Sequence, residues 1–170
     1  RKDLTVIVAQ DPYFAFREAL VRLYGFRQHA NTGISPQASV HPTAKIGRNV
    51  NIHPFAAIGE NVTIGDDCQI YPHVTIMANT TLGNNCIIYP SVTIYDDCVI
   101  GHRVIIHAGT VIGCDGFGFA THQGAHHKIP QTGNVIIEDD VELSANVAIE
   151  RAAMESTLIG QGSKIGDMAV

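Results

Sequence analysis

The chain has 170 residues, of which 45% are hydrophobic, which suffices for one sizeable core but not for two large domains. Its 16 acidic and 11 basic residues leave a formal net charge of −5, so no global positive field exists to hold nucleic acid or anionic lipid. The apolar runs are far shorter than the roughly 20 residues that cross a bilayer. We therefore expect a soluble protein with one main body, no nucleic-acid partner and no transmembrane segment.

Cysteine usage and the first residues bear on the compartment. Four widely spaced cysteines form no Cys-x-x-Cys pair, which argues against a disulfide scaffold and a structural zinc site and favours a reducing compartment. The chain opens at Arg1 without Met and without the pattern of a secretory signal, so we expect a piece to precede it. The cysteines are Cys68, Cys86, Cys98 and Cys114.

Residues 1–33 are expected to be the end of a small α/β domain. The apolar run at 4–9 predicts a strand. Asp11 before a proline is typical of a helix N-cap, which predicts a helix over Pro12–Tyr24 that stops at Gly25. The apolar stripe of this helix consists of Phe16, Leu20 and Leu23.

From residue 34 to residue 112, an aliphatic residue returns every six positions without a miss. A helix would place residues six apart on different sides, so the period indicates short strands separated by tight turns. Four residues after each aliphatic comes a small or β-branched residue, which gives a second inward position. The aliphatic column is Ile34, Val40, Ile46, Ile52, Ile58, Ile64, Ile70, Ile76, Leu82, Ile88, Ile94, Ile100, Ile106 and Ile112.

Two corner signals recur every 18 residues and indicate three hexads per coil. Gly47, Gly65 and Gly83 follow the aliphatic residue at one corner, where we expect awkward backbone geometry and no room for a Cβ atom. His53 and Tyr71 belong to a second corner, rich in aromatic residues and proline. The pattern resembles the hexapeptide repeat of parallel β-helices, which implies a triangular prism with left-handed winding.

The fold expected for residues 34–170 is thus a left-handed parallel β-helix with one ejected loop at about 114–134. Loops ejected from a solenoid often bind ligands. The hexads resume at 137, slip by four residues across 150–156 and stop at Val170 within a repeat, so we expect the natural chain to continue. Cys68, Cys86 and Cys98 occupy the small inward position and are expected to be buried and unreactive.

Motifs around the interruption make the resemblance more specific. The chain carries Gly-Cys-Asp-Gly-Phe-Gly-Phe at 113–119, Lys-Ile-Pro-Gln at 128–131, Ile-Glu-Arg at 149–151 and Asp-Pro-Tyr at 11–13. In this order and spacing they resemble the UDP-3-O-acylglucosamine N-acyltransferases of lipid A biosynthesis, along essentially the whole chain. The resemblance implies transfer of a hydroxyacyl chain from acyl carrier protein to the 2-amine of a UDP-linked, O-acylated glucosamine.

The resemblance also implies a mechanism, partners and a place in the cell. A histidine acts as general base and is expected about three residues beyond Val170, so no residue of this chain is assigned a catalytic role. The donor is acyl carrier protein with its phosphopantetheine, and no other cofactor or metal is implied. The family forms homotrimers with the site between neighbouring prisms, and a cytoplasmic location peripheral to the inner membrane is expected.

The same resemblance indicates the substrate-binding residues. Asp11 and Tyr13 match the motif that contacts uracil in relatives, although Asp at 11 replaces an amide by a carboxylate that only accepts hydrogen bonds. Helix capping for Asp11 and packing for Tyr13 remain the alternatives. Phe117 and Phe119 are expected to form a wall of an acyl or sugar pocket, or else to anchor the loop. Lys128 and Gln131 are expected to meet phosphate or sugar, or else solvent.

Histidines raise a different possibility. The pair His102 and His107 has the spacing of zinc ligands in gamma-class carbonic anhydrases, with His73 as the nearest upstream candidate for a third ligand. Stacking of His107 on the aromatic corner is the simpler interpretation. His122, His126 and His127 in the loop are expected to be solvated.

Two further alternatives to the leading function are a nucleotide-sugar N-acetyltransferase that uses acetyl-CoA and a non-catalytic hexapeptide-repeat trimer.

Overall fold

The computed structural model describes residues 5–170. Two compact units divide the chain, residues 1–30 and residues 31–170. Among the described residues, none belongs to a helix that is both long enough and apolar enough to span a membrane.

The first unit contains the predicted helix, α1 (Pro12–Tyr24). Asp11 caps it, because one carboxylate oxygen accepts hydrogen bonds from the backbone N–H groups of Tyr13 and Phe14, each at 3.0 Å. Gly25 ends it at φ +69°, a conformation that costs glycine little. The capping signals in the sequence thus determine both helix ends, and the predicted bounds are confirmed.

The strand predicted at residues 4–9 is wrong for residues 5–9, which are irregular, while Leu4 lies outside the described residues. A strand needs a neighbour for its backbone groups, and the described part of this unit offers only a helix. The predicted stripe of α1 is not buried either, since Phe16 and Leu20 are 60% and 40% exposed.

The second unit is built from very short strands. In chain order they are β1 (Ser39–Val40), β2 (Lys45–Ile46), β3 (Asn51–Ile52), β4 (Ala57–Ile58), β5 (Thr63–Ile64), β6 (Gln69–Ile70), β7 (Thr75–Ile76), β8 (Thr81–Leu82), β9 (Ile87–Ile88), β10 (Thr93–Ile94), β11 (Val99–Ile100), β12 (Ile105–Ile106), β13 (Val111–Cys114), β14 (Phe119–His122), β15 (Ala125–Lys128), β16 (Asn134–Ile137), β17 (Glu142–Leu143), β18 (Ala148–Glu150), β19 (Ser156–Ile159) and β20 (Lys164–Ile165).

All of these except β14 and β15 form three six-stranded parallel sheets. Each strand pairs with the strand one coil away, so that Ala57 lies opposite Ser39 and Thr75 lies opposite Ala57. The predicted 18-residue coil and parallel β-helix are therefore confirmed, and the winding is consistent with the left-handed form. Sheet orders are β1-β4-β7-β10-β13-β18, β19-β16-β11-β8-β5-β2 and β20-β17-β12-β9-β6-β3.

The core runs along the axis of the prism as stacked inward side chains. Every aliphatic residue of the hexad column from Ile52 to Ile112 is buried, whereas Ile34 at the first coil is 51% exposed. The small inward positions from Val50 to Thr110 are buried too, and the hydroxyls of their two threonines are hydrogen-bonded. Thr80 Oγ1 donates to a backbone carbonyl at 2.8 Å, and Thr110 Oγ1 does the same.

The glycine corner differs in one respect from the expectation. The close approach is confirmed, because a Cβ atom on Gly83 would lie 2.6 Å from the carbonyl oxygen of Gly101. The left-handed backbone conformation, however, falls two residues after the glycine, for example on Asn49 (φ 55°) and Asp67 (φ 59°). Short Asn and Asp side chains tolerate that conformation better than most residues. The close approach therefore requires glycine at one position, and the left-handed conformation is adopted at another.

The aromatic corner is a column of stacked rings. His53, Tyr71, Tyr89 and His107 follow one another with ring centroids 4.8, 5.1 and 4.9 Å apart. The stacking predicted for His107 is therefore confirmed, and its Nε2 also lies 3.2 Å from a carboxylate oxygen of Glu142. Spacing in the column follows from the coil, because neighbouring strands lie about 4.8 Å apart.

Candidate functional site

The ejected loop leaves the prism after β13 and carries the antiparallel hairpin β14–β15. Ile137 lies opposite Ile100, 37 residues away instead of 18, so the loop adds 19 residues to one coil. It is the longest interruption of the second unit and contains four of the predicted binding residues.

The loop returns against the second irregularity of the repeat. Backbone N–H groups of Thr132, Gly133 and Asn134 donate to carbonyl oxygens of residues 152–155, at 3.0 to 3.1 Å. A Cβ atom on Gly133 would lie 2.4 Å from the carbonyl oxygen of Glu155, so only glycine fits there. The slip at 150–156 therefore provides the acceptors for the returning chain, and the two interruptions form one structural feature.

Gln131 packs beneath the two glycines of the Gly-Phe-Gly-Phe segment. Its Oε1 lies 2.8 Å from the position of a Cβ atom on Gly116, and its Nε2 lies 3.0 Å from that position on Gly118. The Nε2 also donates to the carbonyl oxygen of Ile129 at 3.0 Å. The amide thus supports the shape of the loop, with the glycines leaving room for it.

Two aromatic rings form the outer side of the loop. Phe117 and Phe119 meet edge to face with centroids 5.2 Å apart. Together with His126 they line an apolar cavity of about 330 Å³. The Nδ1 of His126 lies 3.1 Å from the hydroxyl of Thr121, which orients the imidazole and places one polar group at an apolar surface.

Lys128 is held beside these rings. Its Nζ lies 2.8 Å from Oδ2 of Asp115 and 5.9 Å from the centroid of Phe119. Both members of the ion pair are about half exposed, at 50% and 44%, so the pair contributes little to stability but leaves a cation near the cavity.

Arg151 secures the exit of the loop from the prism. Its side chain is only 8% exposed. The Nε donates to the carbonyl oxygen of Gly113 at 2.7 Å, and Nη2 donates to the backbone and side-chain oxygens of Asp96, each at 3.1 Å. The guanidinium carbon lies 6.0 Å from the ring centroid of Tyr95. One buried cation therefore joins the loop root to the coil below.

Asp96 has the electrostatics expected of such a partner. Partial burial by itself raises the pKa of the Asp96 carboxyl, but hydrogen bonds and the charge of Arg151 outweigh burial and hold the pKa below its ordinary value. Asp96 is therefore a carboxylate at neutral pH, and the pair with Arg151 is ionic.

The remaining two predicted residues belong to the first unit. Asp11 uses one carboxylate oxygen to cap α1, which confirms the capping interpretation and leaves uracil recognition a prediction. Tyr13 is 86% exposed in the first turn of α1 and lines a cavity of about 480 Å³ with Phe16 and Leu20, among others. The exposed ring is available for stacking.

The structure brings Phe117, Phe119 and Lys128 together on one loop and places Gln131 beneath them. Sequence reasoning missed His126 and Arg151 as members of this site. Strand alternation in the hairpin could have revealed His126, because it shares a face with Phe119, and Arg151 stands in the motif that precedes the slip.

The structure gives the histidines of the zinc hypothesis other partners. His102 follows β11 and its Nδ1 accepts a hydrogen bond from the N–H of Asn84 at 2.9 Å, whereas His107 follows β12 in the aromatic column. His73 stacks on Phe55 with centroids 5.4 Å apart. The two ligand candidates lie at different corners, and residues 5–170 contain no cluster of three or more metal-ligating side chains.

Comparisons with known proteins agree with this architecture. A family model described as the GMPPB C-terminal domain matches residues 34–116, the uninterrupted part of the repeat. The acetyltransferase domain of PglB from Neisseria gonorrhoeae in complex with acetyl coenzyme A has a TM-score of 0.59 and 17% identity, covering 78% of this chain and 53% of that chain. At this identity the likeness shows the fold alone. The chain therefore has the β-helix of the hexapeptide-repeat class.

Curated sequences identify the relatives more closely. A UDP-3-O-acylglucosamine N-acyltransferase of Leptothrix cholodnii is 48% identical over 168 residues, covering 95% of this chain and 48% of the relative. One of Protochlamydia amoebophila is 51% identical over 165 residues, covering 95% of this chain and 47% of the relative. The resemblance found in the motifs is thus confirmed: over 95% of its length the chain is similar to proteins named UDP-3-O-acylglucosamine N-acyltransferase. It spans about half the length of these relatives.

Proposed function

We propose that this chain forms the acceptor-binding and loop-bearing part of an N-acyltransferase of lipid A biosynthesis. The enzyme transfers a hydroxyacyl group from acyl carrier protein to the 2-amine of UDP-3-O-acylglucosamine. The observation that carries the proposal is the preserved loop: the Gly-Phe-Gly-Phe and Lys-Ile-Pro-Gln segments of the family fold into one unit with an apolar cavity and an adjacent cation.

The chemistry of the loop fits this substrate class. Phe117 and Phe119 offer an apolar wall for an acyl chain, and the nearby Lys128 offers a charge for phosphate or a polar group for sugar. In the proposed complex Tyr13 stacks on uracil, as its exposure allows. Asp11 accepts a hydrogen bond from the base through the carboxylate oxygen that does not cap α1.

The proposed reaction is a direct transfer. A histidine beyond Val170 takes a proton from the sugar amine, whose nitrogen attacks the thioester carbonyl while a backbone amide stabilises the oxyanion. The C–N bond forms, the C–S bond breaks, and the phosphopantetheine thiol leaves. No covalent enzyme intermediate, metal or additional cofactor takes part.

Further proposals concern assembly and location. A homotrimer would place the loop of one protomer beside the prism of the next, which suits an exposed apolar cavity on the outside of the solenoid. Acyl carrier protein is the proposed partner that delivers the acyl chain. A cytoplasmic enzyme at the inner membrane would meet both this donor and its lipid-like acceptor.

Product analysis in the full reading frame tests the function. The purified protein is incubated with UDP-3-O-acylglucosamine and 3-hydroxyacyl-acyl carrier protein, and the product is examined by mass spectrometry. We expect one added acyl group on the 2-amine. A parallel reaction receives acetyl-CoA and a UDP-amino sugar.

Each outcome decides between the candidate functions. Acylation from acyl carrier protein supports the proposal. Acetylation from acetyl-CoA alone would replace it with the nucleotide-sugar N-acetyltransferase. No transfer from either donor, in a protein that is folded and trimeric, would favour the non-catalytic trimer. The sequence after Val170 provides an independent check, because the proposal requires a histidine there.

A further inference from the structure

Arg151 occupies a special place between the loop and the prism. We propose that it is a positioning residue: its guanidinium sets the direction in which the ejected loop leaves the prism, and thereby holds Phe117 and Phe119 where substrate binds. This inference rests on the proposed function for its link to substrate, but not for its link to the loop.

The geometry of the guanidinium supports a directional role. An arginine side chain offers five N–H donors in a rigid, planar group. Here these donors form hydrogen bonds with two separate elements of the fold. One branch donates to the carbonyl oxygen of Gly113 at the loop root, and another donates to Asp96 in the coil below. A lysine would offer one ammonium on a flexible chain and could not fix both directions together.

The backbone at the loop root is also constrained by its own packing. Gly113 has φ +82°, and a Cβ atom there would lie 2.7 Å from Sγ of the buried Cys98. The chain therefore turns where only glycine fits, packed against Cys98 and held at its carbonyl oxygen by Arg151. This turn determines where Cys114 and the residues after it begin.

The outer part of the loop depends on this root. The N–H of Ile129 donates a hydrogen bond to the carbonyl oxygen of Gly118, and Asp115 forms an ion pair with Lys128. These contacts hold the loop together internally. The return segment is bonded to residues 152–155, next to Arg151 in sequence. The loop is therefore held together as one unit, which is attached to the prism at its root and at its return.

Hydrogen–deuterium exchange tests the link to the loop without any assay of activity. In Arg151→Met we expect roughly tenfold faster exchange of the Gly118 and Ile129 amides, because loss of a buried ionic partner lowers the cost of local opening. Amides of the core residues Ile94 and Ile112 should keep their protection. Arg103→Met is the matched control: Arg103 also pairs with two aspartates, but at the corner that follows β11 and β16 and not at the root of the loop.

Kinetics of the full reading frame test the link to substrate. We expect Arg151→Met to raise KM for UDP-3-O-acylglucosamine or for the acyl donor roughly tenfold, with a smaller change in kcat, because a displaced loop loses substrate binding. A purely structural defect would reduce the amount of active enzyme and leave KM unchanged. Arg151→Lys should restore part of the affinity, because it keeps the charge without the planar group.

The outcomes separate the two ideas. Unchanged exchange in the loop of Arg151→Met would overturn the positioning role. Faster exchange with unchanged KM would also overturn it, because the loop would then not determine binding. If the unaltered protein transfers no acyl group, the proposed function fails, and exchange still decides whether Arg151 positions the loop. Should Arg151→Met fail to fold, Asp96→Asn removes one acceptor of the same guanidinium and serves for both measurements.

Discussion

A Cβ atom placed on Gly65 would lie 2.7 Å from the carbonyl carbon of Gly83, one coil further along the prism. Neither backbone can retreat, because the N–H of Gly65 donates to the carbonyl oxygen of Leu82 at 2.9 Å. The rise of one coil therefore determines the residue type at this corner. The same closeness recurs at Gly47 and Gly101.

Alanine at this corner should destabilise the prism. We expect Gly65→Ala to lower the free energy of unfolding by about 1–3 kcal/mol, because the methyl group meets rigid backbone. Gly166→Ala is the matched control, since no heavy atom lies within 4 Å of its Cβ position and its φ is not positive. Urea unfolding followed by circular dichroism measures both. Equal midpoints for the two variants would contradict the prediction.

Acid should weaken the ion pair at a neighbouring corner. Hydrogen bonds from Arg103 and Gln161 lower the pKa of Asp140 from 3.8 to about 2. A carboxyl with a lower pKa in the folded state stabilises the fold above its unfolded pKa and loses that contribution as pH falls from 3.8 towards 2. We expect Asp140→Asn to reduce the loss of stability in this range, measured by unfolding at several pH values.

Arg103→Met provides the control for this titration. It removes the first cause of the low pKa, so Asp140→Asn should have no further effect on the acid dependence in that background. An unchanged acid dependence in the Asp140→Asn single variant would show that this carboxyl does not contribute.

Thiol labelling should separate the four cysteines. Cys68, Cys86 and Cys98 are fully buried, and burial raises the pKa of the Cys98 thiol. We expect these three to react with a thiol reagent only after unfolding, while the half-buried Cys114 reacts slowly in the native state. Mass spectrometry after labelling, with and without denaturant, measures this. Native labelling of Cys68 would disprove the buried, unreactive assignment.

Removing one aromatic ring of the loop should weaken substrate binding without unfolding the prism. For Phe119→Ala in the full reading frame we expect KM for the acyl substrate to rise roughly tenfold, since about 1–2 kcal/mol of apolar contact is lost. The melting temperature should change little because the ring is 43% exposed. Phe55→Ala, a 58% exposed ring at a distant corner, is the control. An identical KM in both variants would exclude the loop from binding.

The regular part of the fold was predictable because each coil repeats the same local demands. Every inward aliphatic residue from Ile52 to Ile112 can be read from a period of six, and the pairing of Ser39 with Ala57 follows from a period of 18. The bounds of α1 were predictable for a different reason, since Asp11 and Gly25 act on backbone groups within one turn of themselves.

The candidate site was predictable only in part. Motifs located Phe117, Phe119 and Lys128 on one loop, but they did not show that the Gln131 amide fills the space left by two glycines. The slip after Glu150 is visible in the sequence as a defect. Only the folded structure shows its role, because there the carbonyl groups of the slip accept hydrogen bonds from the N–H groups of Thr132 and Gly133.

The sequence by itself thus determined the β-helix, the position of its interruption and the relatives it resembles, because period, capping and motif spacing act through near neighbours in the chain. Tertiary structure alone decided that Arg151 would be buried between Gly113 and Asp96, which stand 38 and 55 residues away. Such a contact depends on how many residues each coil adds to the stack. A buried charge is tolerated only where coils from distant parts of the chain bring acceptors to it.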